Sequence, residues 1–113
     1  LFSEEFFTSI REALTENGLF VTHSESLLLH ADIVTEVQQN LKGIFPVVDL
    51  YTAPIATYPG IWWAFDICSK QFDPREMRRG YEIETRFYSD EMHGHSFVPR
   101  GFHRKLLEGK IKW

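Results

Sequence analysis

The sequence has little of several features that mark common protein classes, and each shortage excludes something. It holds one cysteine, Cys68, so no disulfide can form within the chain, and a reducing, cytoplasmic location is expected. No apolar run approaches the roughly 20 residues of a membrane-spanning helix. A glycine-rich nucleotide-binding turn and a G-x-S-x-G nucleophile motif are also absent. The sequence therefore does not resemble a secreted disulfide-rich protein, a membrane-spanning protein or a protein with a glycine-rich nucleotide-binding loop.

Positive charge is also in short supply. Lys and Arg number 12 against 16 Asp and Glu, which gives a net charge of −4. Nucleic-acid surfaces usually carry a basic excess, so we expect no nucleic-acid partner. The lack of a long apolar run likewise predicts no membrane partner. His93, His95 and His103 are the nearest group of histidines, but they lack HExxH spacing and a cysteine pair, so no metal site is predicted. Arg75, Arg78 and Arg79 are interpreted as a solvated basic patch.

Aromatic residues are abundant, at 15% of 113 residues, and they concentrate in residues 50–65. This stretch is interpreted as a strand, a Pro-Gly bend and a second strand. Prolines restrict the bend, so its rings would be held in place and could line a pocket. The alternative is a core hairpin whose rings only pack inward. The rings belong to Tyr51, Tyr58, Trp62, Trp63 and Phe65.

Local signals predict a helix over 3–16, with Ser3 as its N-cap and Gly18 in the left-handed position after its end. A short buried strand over 19–22 is expected to be parallel. The polar residues 23–26 then follow at the strand end where ligands bind in α/β sheets, so His23 and Glu25 are candidate site residues. The alternative is that this segment is a solvated turn that caps the next helix.

Further along, the pattern predicts a helix over 27–42 and an antiparallel pair of strands over 47–51 and 61–69. A helical turn opens near Ser89, and a last helix runs from Pro99 to Leu107. The predicted class is α/β: the C-terminal part of a doubly wound sheet, with one parallel strand, an antiparallel pair and flanking helices. We expect residues 1–113 to form a single incomplete domain, because no first βαβ unit is visible and Leu1 begins inside a helix signal.

Ordered motifs along the chain resemble the spermidine synthase family of aminopropyltransferases. The segment from Leu50 to Gly60 is similar to the family's signature loop, and residues 18–26 resemble its fifth strand. The start of the chain, the approach to the second strand and the C-terminal tail agree as well. These further matches are Leu1 to Phe7, Ile44 to Val48, Arg86 to Tyr88, His93, Phe97 and Pro99.

The resemblance implies a Rossmann-like methyltransferase fold, of which this chain supplies strands five to seven. It also implies transfer of an aminopropyl group from decarboxylated S-adenosylmethionine to putrescine, without a metal or a resident cofactor. Family members place a catalytic Asp in an Asp-Ser-x-Asp-Pro run, which would lie upstream of Leu1. The donor site would lie there too, so this chain alone should neither bind the donor nor catalyse. The N-terminal half of the same enzyme is therefore an expected partner, as is a homo-oligomer, a dimer or tetramer.

Three positions carry the family's amine-binding pattern. Tyr58 matches a loop tyrosine that contacts the diamine, and Trp63 matches an aromatic that lines the same cavity. His23 stands where many relatives have a diamine-binding Gln, and Ile61 stands where Gly is frequent. Because of His23, another amine such as agmatine or cadaverine is an alternative substrate. A non-catalytic remnant or assembly module of the same fold is a further alternative.

Overall fold

The computed structural model describes residues 3–78 and 83–113. Leu1, Phe2 and Arg79, which entered the sequence-based predictions, lie outside these ranges. Within them, no helix is long and apolar enough to cross a membrane. The helices and strands are α1 Glu4–Ala13, β1 Leu19–Ser26, α2 Ala31–Lys42, β2 Val47–Pro54, β3 Trp62–Ser69, α3 Asp90–Ser96 and α4 Arg100–Leu107.

The first helix begins as predicted and ends early. Ser3 is the N-cap, and its hydroxyl accepts a hydrogen bond from the Phe6 N–H at 3.1 Å. The helix ends at Ala13, and Gly18 is not in the left-handed region, so the predicted capping role of Gly18 is wrong. A Cβ at Gly18 would lie 2.6 Å from Leu14 Cδ1, so glycine there permits close packing against the helix end.

The second helix also starts later than predicted, because the strand before it is longer. β1 continues to Ser26, which corrects the prediction of a polar loop over 23–26. Ser26 then caps a turn: its Oγ accepts from the Leu29 N–H at 3.2 Å, and its carbonyl accepts from the His30 N–H at 2.9 Å. α2 follows at Ala31 rather than at Leu27.

The sheet has β3 between β1 and β2, and β3 runs antiparallel to both neighbours. The predicted antiparallel pair is confirmed as β2 and β3. The predicted parallel pairing of the first strand is not found: within the described ranges, β1 is hydrogen-bonded to β3 alone. The reason is that the chain doubles back after β2 and inserts β3 between the two earlier strands, which point in the same direction.

Helices α1, α2 and α4 cover one face of this sheet, and the hydrophobic core lies beneath them. Side chains of α2 meet the sheet in two buried clusters, one shared with α4 and the other with α1. Cys68 is fully buried in the second cluster, and burial raises the pKa of its thiol to about 12, as expected of an inert apolar cysteine. The clusters comprise Leu27, Ala31, Val34, Leu50, Ala64, Val98 and Leu106, and Phe7, Val37, Leu41, Phe45, Val48 and Cys68.

Candidate functional site

The opposite face of the sheet carries a row of rings that crosses all three strands. Phe65 on β3 is paired with His23 on β1 and with Tyr51 on β2. Directly paired residues of antiparallel strands point to the same face, so these three side chains are neighbours. The Tyr51 and Phe65 rings stack with centroids 5.1 Å apart, and the His23 and Phe65 centroids are 6.4 Å apart. His23 is therefore held by a strand rather than by a loop.

Residues 55–61 form a tight loop that brings Tyr58 to one end of this row. The Tyr58 N–H donates to the Ile55 carbonyl at 3.1 Å, and the Ile55 N–H donates to the Ile61 carbonyl at 2.9 Å. Gly60 has a φ of 82°, and a side chain there would collide with Ser26 Oγ. Ile61 has a φ of 57°, the left-handed region that a β-branched residue rarely adopts. The backbone thus keeps a glycine-like conformation at the position where the resemblance expects glycine.

The three predicted site residues come together with Phe65 to form what we call the aromatic cluster: His23, Tyr58, Trp63 and Phe65. Trp63 Nε1 donates a hydrogen bond to His23 Nδ1 at 3.1 Å. The Tyr58 and Trp63 rings lie 4.5 Å apart between centroids, and the Tyr58 and His23 rings lie 6.3 Å apart. Residues separated by 40 positions in sequence are therefore in direct contact.

The aromatic cluster is buried on the side of Trp63 and exposed to solvent on the side of Tyr58 and His23. Trp63 is only 6% exposed, whereas Tyr58 is 43% exposed and His23 is also exposed. Buried indole area fixes the cluster, and the exposed tyrosine keeps its hydroxyl accessible. Such a surface can pack methylene groups against its rings and hydrogen-bond a polar group at its rim.

An apolar pocket of about 370 Å³ continues from the Tyr51 end of the row. Its far wall comes from the tail before and within α3. The His93 Nε2–H donates to the Pro74 carbonyl at 2.8 Å, so His93 Nδ1 is free to accept from the Tyr88 hydroxyl at 2.9 Å. Burial raises the pKa of the Tyr51 phenol beside this pocket. The pocket is lined by Tyr51, Thr52, Ala53, Phe65, Phe87, Tyr88, Met92, His93, Ser96 and Phe97.

Behind the site, on the helix-covered face, lies a buried carboxylic acid that the sequence did not point to. Asp66 Oδ1 accepts from Gln38 Nε2 at 2.6 Å, and Gln38 Oε1 accepts from His103 Nε2 at 2.7 Å. Burial raises the pKa of Asp66 to about 7, against smaller opposing effects from Gln38 and the nearby Ser24 hydroxyl. In the described part of the chain, neither Asp66 Oδ2 nor Ser24 Oγ has a partner with hydrogen-bond geometry. An aspartate inside an apolar strand was the available signal.

The same buried region holds an ion pair that corrects the prediction of a solvated position for Arg75, whereas Arg78 is exposed as predicted. Arg75 Nε and Nη2 donate to the two carboxylate oxygens of Asp49 at 2.6 and 2.8 Å, and Nη2 also reaches the Val98 carbonyl at 2.8 Å. Asp49 raises the pKa of Arg75. Asp49 Oδ1 also lies 3.7 Å from His103 Nδ1, yet burial outweighs that charge and lowers the pKa of His103. Arg75 therefore ties the C-terminal tail to the sheet.

Glu25, the other candidate site residue, and the nearby His30 do not join the cluster's contacts. Glu25 Oε1 accepts from the Ser26 N–H at 3.3 Å. His30 occupies the N-cap position of α2 without a side-chain capping bond. Across residues 3–78 and 83–113, no group of three or more His, Cys, Asp or Glu side chains is arranged to hold a metal ion.

Comparison with known proteins places these features in a family. Residues 1–77 match the model of the Spermine/spermidine synthase domain. The whole chain is 50% identical to a Polyamine aminopropyltransferase of Hydrogenobaculum sp. (strain Y04AAS1) and 41% identical to Polyamine aminopropyltransferase 1 of Aquifex aeolicus, and it covers 40% of each. A crystal structure of spermidine synthase from Thermotoga maritima matches with a TM-score of 0.79 at 29% identity, over 96% of this chain and 39% of that one.

This likeness over nearly the whole chain, together with the antiparallel strands and flanking helices described above, confirms the predicted α/β fold class; the parallel pairing of the first strand is the exception. The chain spans about two-fifths of the length of the curated relatives it matches. Since the family model covers well over half of its residues, the chain belongs to the spermine/spermidine synthase domain family.

Proposed function

We propose that this chain is the C-terminal part of a spermidine synthase, which transfers an aminopropyl group from decarboxylated S-adenosylmethionine to putrescine. Relatives that match the entire chain are polyamine aminopropyltransferases, which supports aminopropyl transfer. The observation that carries the proposal is the convergence of His23, Tyr58 and Trp63 into one open aromatic cluster. Tyr58 and Trp63 match the amine-binding pattern that the resemblance implies, and His23 stands where many relatives have a Gln.

The proposed reaction is a direct displacement at carbon. The uncharged amine of putrescine attacks the carbon next to the sulfonium, a C–N bond forms, and the C–S bond breaks. Its electron pair stays on sulfur, which leaves as neutral methylthioadenosine. Before the attack, a base has taken a proton from the ammonium form of the diamine, which frees the lone pair of the nitrogen. Rate enhancement in such a step comes mainly from orientation and from removal of that proton.

This chain would contribute orientation rather than the base. The half-buried Phe65 ring and the exposed Tyr58 ring offer apolar area for the methylene chain of a diamine, and the buried Trp63 ring supports them from beneath. The Tyr58 hydroxyl can hydrogen-bond an amine at the open rim. Under the proposal, the N-terminal half of the same enzyme supplies the catalytic carboxylate and the site for the aminopropyl donor. The donor is then a co-substrate, no resident cofactor or metal is required, and the complete enzyme works in the cytoplasm as a homo-oligomer.

The test is turnover of putrescine by the complete protein that contains this chain, with formation of spermidine and methylthioadenosine as the readout. Tyr58→Phe should lower kcat/KM about tenfold, the effect of losing one hydrogen bond to the reacting amine. Ser9→Ala is the control, because it removes an exposed hydroxyl that bonds the Glu5 carbonyl on α1, away from the aromatic cluster and the pocket.

Wild-type turnover by Tyr58→Phe would count against the role given to that hydroxyl. If the complete protein forms no spermidine from putrescine but does use agmatine or cadaverine, the substrate assignment changes and the reaction stands. If no amine reacts, the alternative of a non-catalytic module replaces the proposal.

A further inference from the structure

The hydrogen bond inside the aromatic cluster fixes the direction in which His23 can bond to anything else. An indole N–H is a donor only, so in the contact between Trp63 Nε1 and His23 Nδ1 the imidazole nitrogen must be the acceptor. A neutral imidazole that accepts at Nδ1 carries its hydrogen on Nε2. We infer that Trp63 is a positioning residue that holds His23 as a hydrogen-bond donor toward the amine site.

The surroundings hold both rings in this arrangement. Trp63 is 6% exposed and packs against the Tyr58 ring, so its indole has little freedom to turn away. The pairing of β1 with β3 shifts by one residue between His23 and Ser26, which is a β-bulge. Bulges re-aim side chains locally, and this one lies directly beside the contact between His23 and Trp63.

The other nitrogen of His23 is left for a ligand. His23 is exposed, and its Nε2 finds no hydrogen-bond partner in the described ranges. An ammonium or guanidinium group has hydrogens but no lone pair, so it gains nothing from an Nε2–H. A hydroxyl or an uncharged amine does have a lone pair and can accept this hydrogen bond.

A hydrogen-bond donor at His23 changes which amines suit the site, and this step of the inference rests on the proposed function. An attacking nitrogen must use its lone pair on carbon, so an N–H donor aimed at it would oppose the reaction. His23 is therefore suited to the non-reacting end of the substrate, and it favours an end with a lone pair. A Gln at this position could instead turn its amide oxygen toward an ammonium.

The tautomer is tested by NMR on the complete protein with isotope-labelled histidine, at about pH 8.5, well above the ordinary histidine pKa. Coupling patterns of the ring nitrogens show which one carries hydrogen, and His23→Gln assigns the His23 signals. Wild-type His23 should be in the Nε2–H form, and Trp63→Phe should release it into a mixture of both forms. Trp62→Phe is the matched control, since Trp62 packs on the opposite face against Phe102 and Trp113. An Nδ1–H form in the wild type, or an unchanged tautomer in Trp63→Phe, would overturn the inference.

The selectivity is tested with two co-substrates: putrescine and the amino alcohol in which one amine of putrescine is replaced by a hydroxyl. His23→Gln should raise the kcat/KM ratio of putrescine to the amino alcohol about five- to tenfold, the effect of exchanging one hydrogen bond. An unchanged or lower ratio would refute the donor role of His23. If neither compound reacts, the proposed function fails, and the NMR result, which needs no substrate, decides the inference by itself.

Discussion

Replacing Asp66 with asparagine should stabilise the protein much more at neutral pH than in mild acid. The carboxyl group is fully buried, and its pKa is raised from 3.8 to about 7 because burial penalises the charged form. The folded state therefore binds a proton that the unfolded state has already lost between about pH 4 and pH 7. In that window the free energy of unfolding falls as pH rises, and above about pH 7 the loss is constant.

The size of the effect follows from the two pKa values. A difference of about three pKa units at about 1.4 kcal/mol each gives about 4 kcal/mol of lost stability at pH 8. Asparagine has the shape of the protonated acid and carries no charge, and its oxygen can still accept from Gln38 Nε2. Asp66→Asn should then be more stable than the wild type by about 4 kcal/mol at pH 8. At pH 5 this advantage over the wild type should be smaller by about 3 kcal/mol.

Urea unfolding of the complete protein and of Asp66→Asn at several pH values between 5 and 8 measures this difference directly. His103 has a lowered pKa, so its own contribution is lost as pH falls below the ordinary histidine range, opposite in sign to Asp66. It is present in both proteins and cancels in the difference. Asp32→Asn is the control, because Asp32 is exposed in the first turn of α2. A gain from Asp66→Asn that is equal at pH 5 and pH 8, or a loss at pH 8, would refute the reasoning.

Two further substitutions test the loop and the tail. Ile61→Gly should raise the free energy of unfolding by about 1 kcal/mol, since a left-handed φ of 57° strains an isoleucine and not a glycine; an unchanged thermal midpoint would contradict this. Arg75→Lys should lower stability by about 2 kcal/mol, because one ammonium cannot replace both bonds to Asp49 and the bond to Val98. Faster proteolysis of the tail after α3 would accompany that loss. Arg11→Lys is the matched control, because Arg11 is exposed on α1.

Features encoded locally were predictable from the sequence. The Ser3 cap, the amphipathic second helix and the antiparallel strands on either side of the Pro-Gly bend all depend on neighbouring residues. The resemblance to a family supplied the positions of Tyr58, Trp63 and His23, and the structure shows them in mutual contact. Their role in binding an amine stays a prediction.

Features that depend on distant pairing were not predictable. Residues 23–26 look like a polar turn, but pairing with β3 makes them part of a strand. Arg75 looks like a surface charge until Asp49, 26 residues earlier, is seen beside it. The sequence around Asp66 predicts only an apolar strand and does not explain an aspartate there, because its partner Gln38 lies on a helix 28 residues away. Hydrophobic periodicity contains no information about such partners.

The central strand connects the candidate site with the buried polar network, because its side chains alternate between the two faces of the sheet. Trp63 and Phe65 project into the aromatic cluster, whereas Ala64 and Asp66 project beneath α2. The site therefore rests on a strand that is paired on both sides and packed from behind, and its rings are placed before any ligand arrives. A displacement reaction depends on orientation, and such a fixed surface lowers the entropic cost of holding a flexible diamine in line.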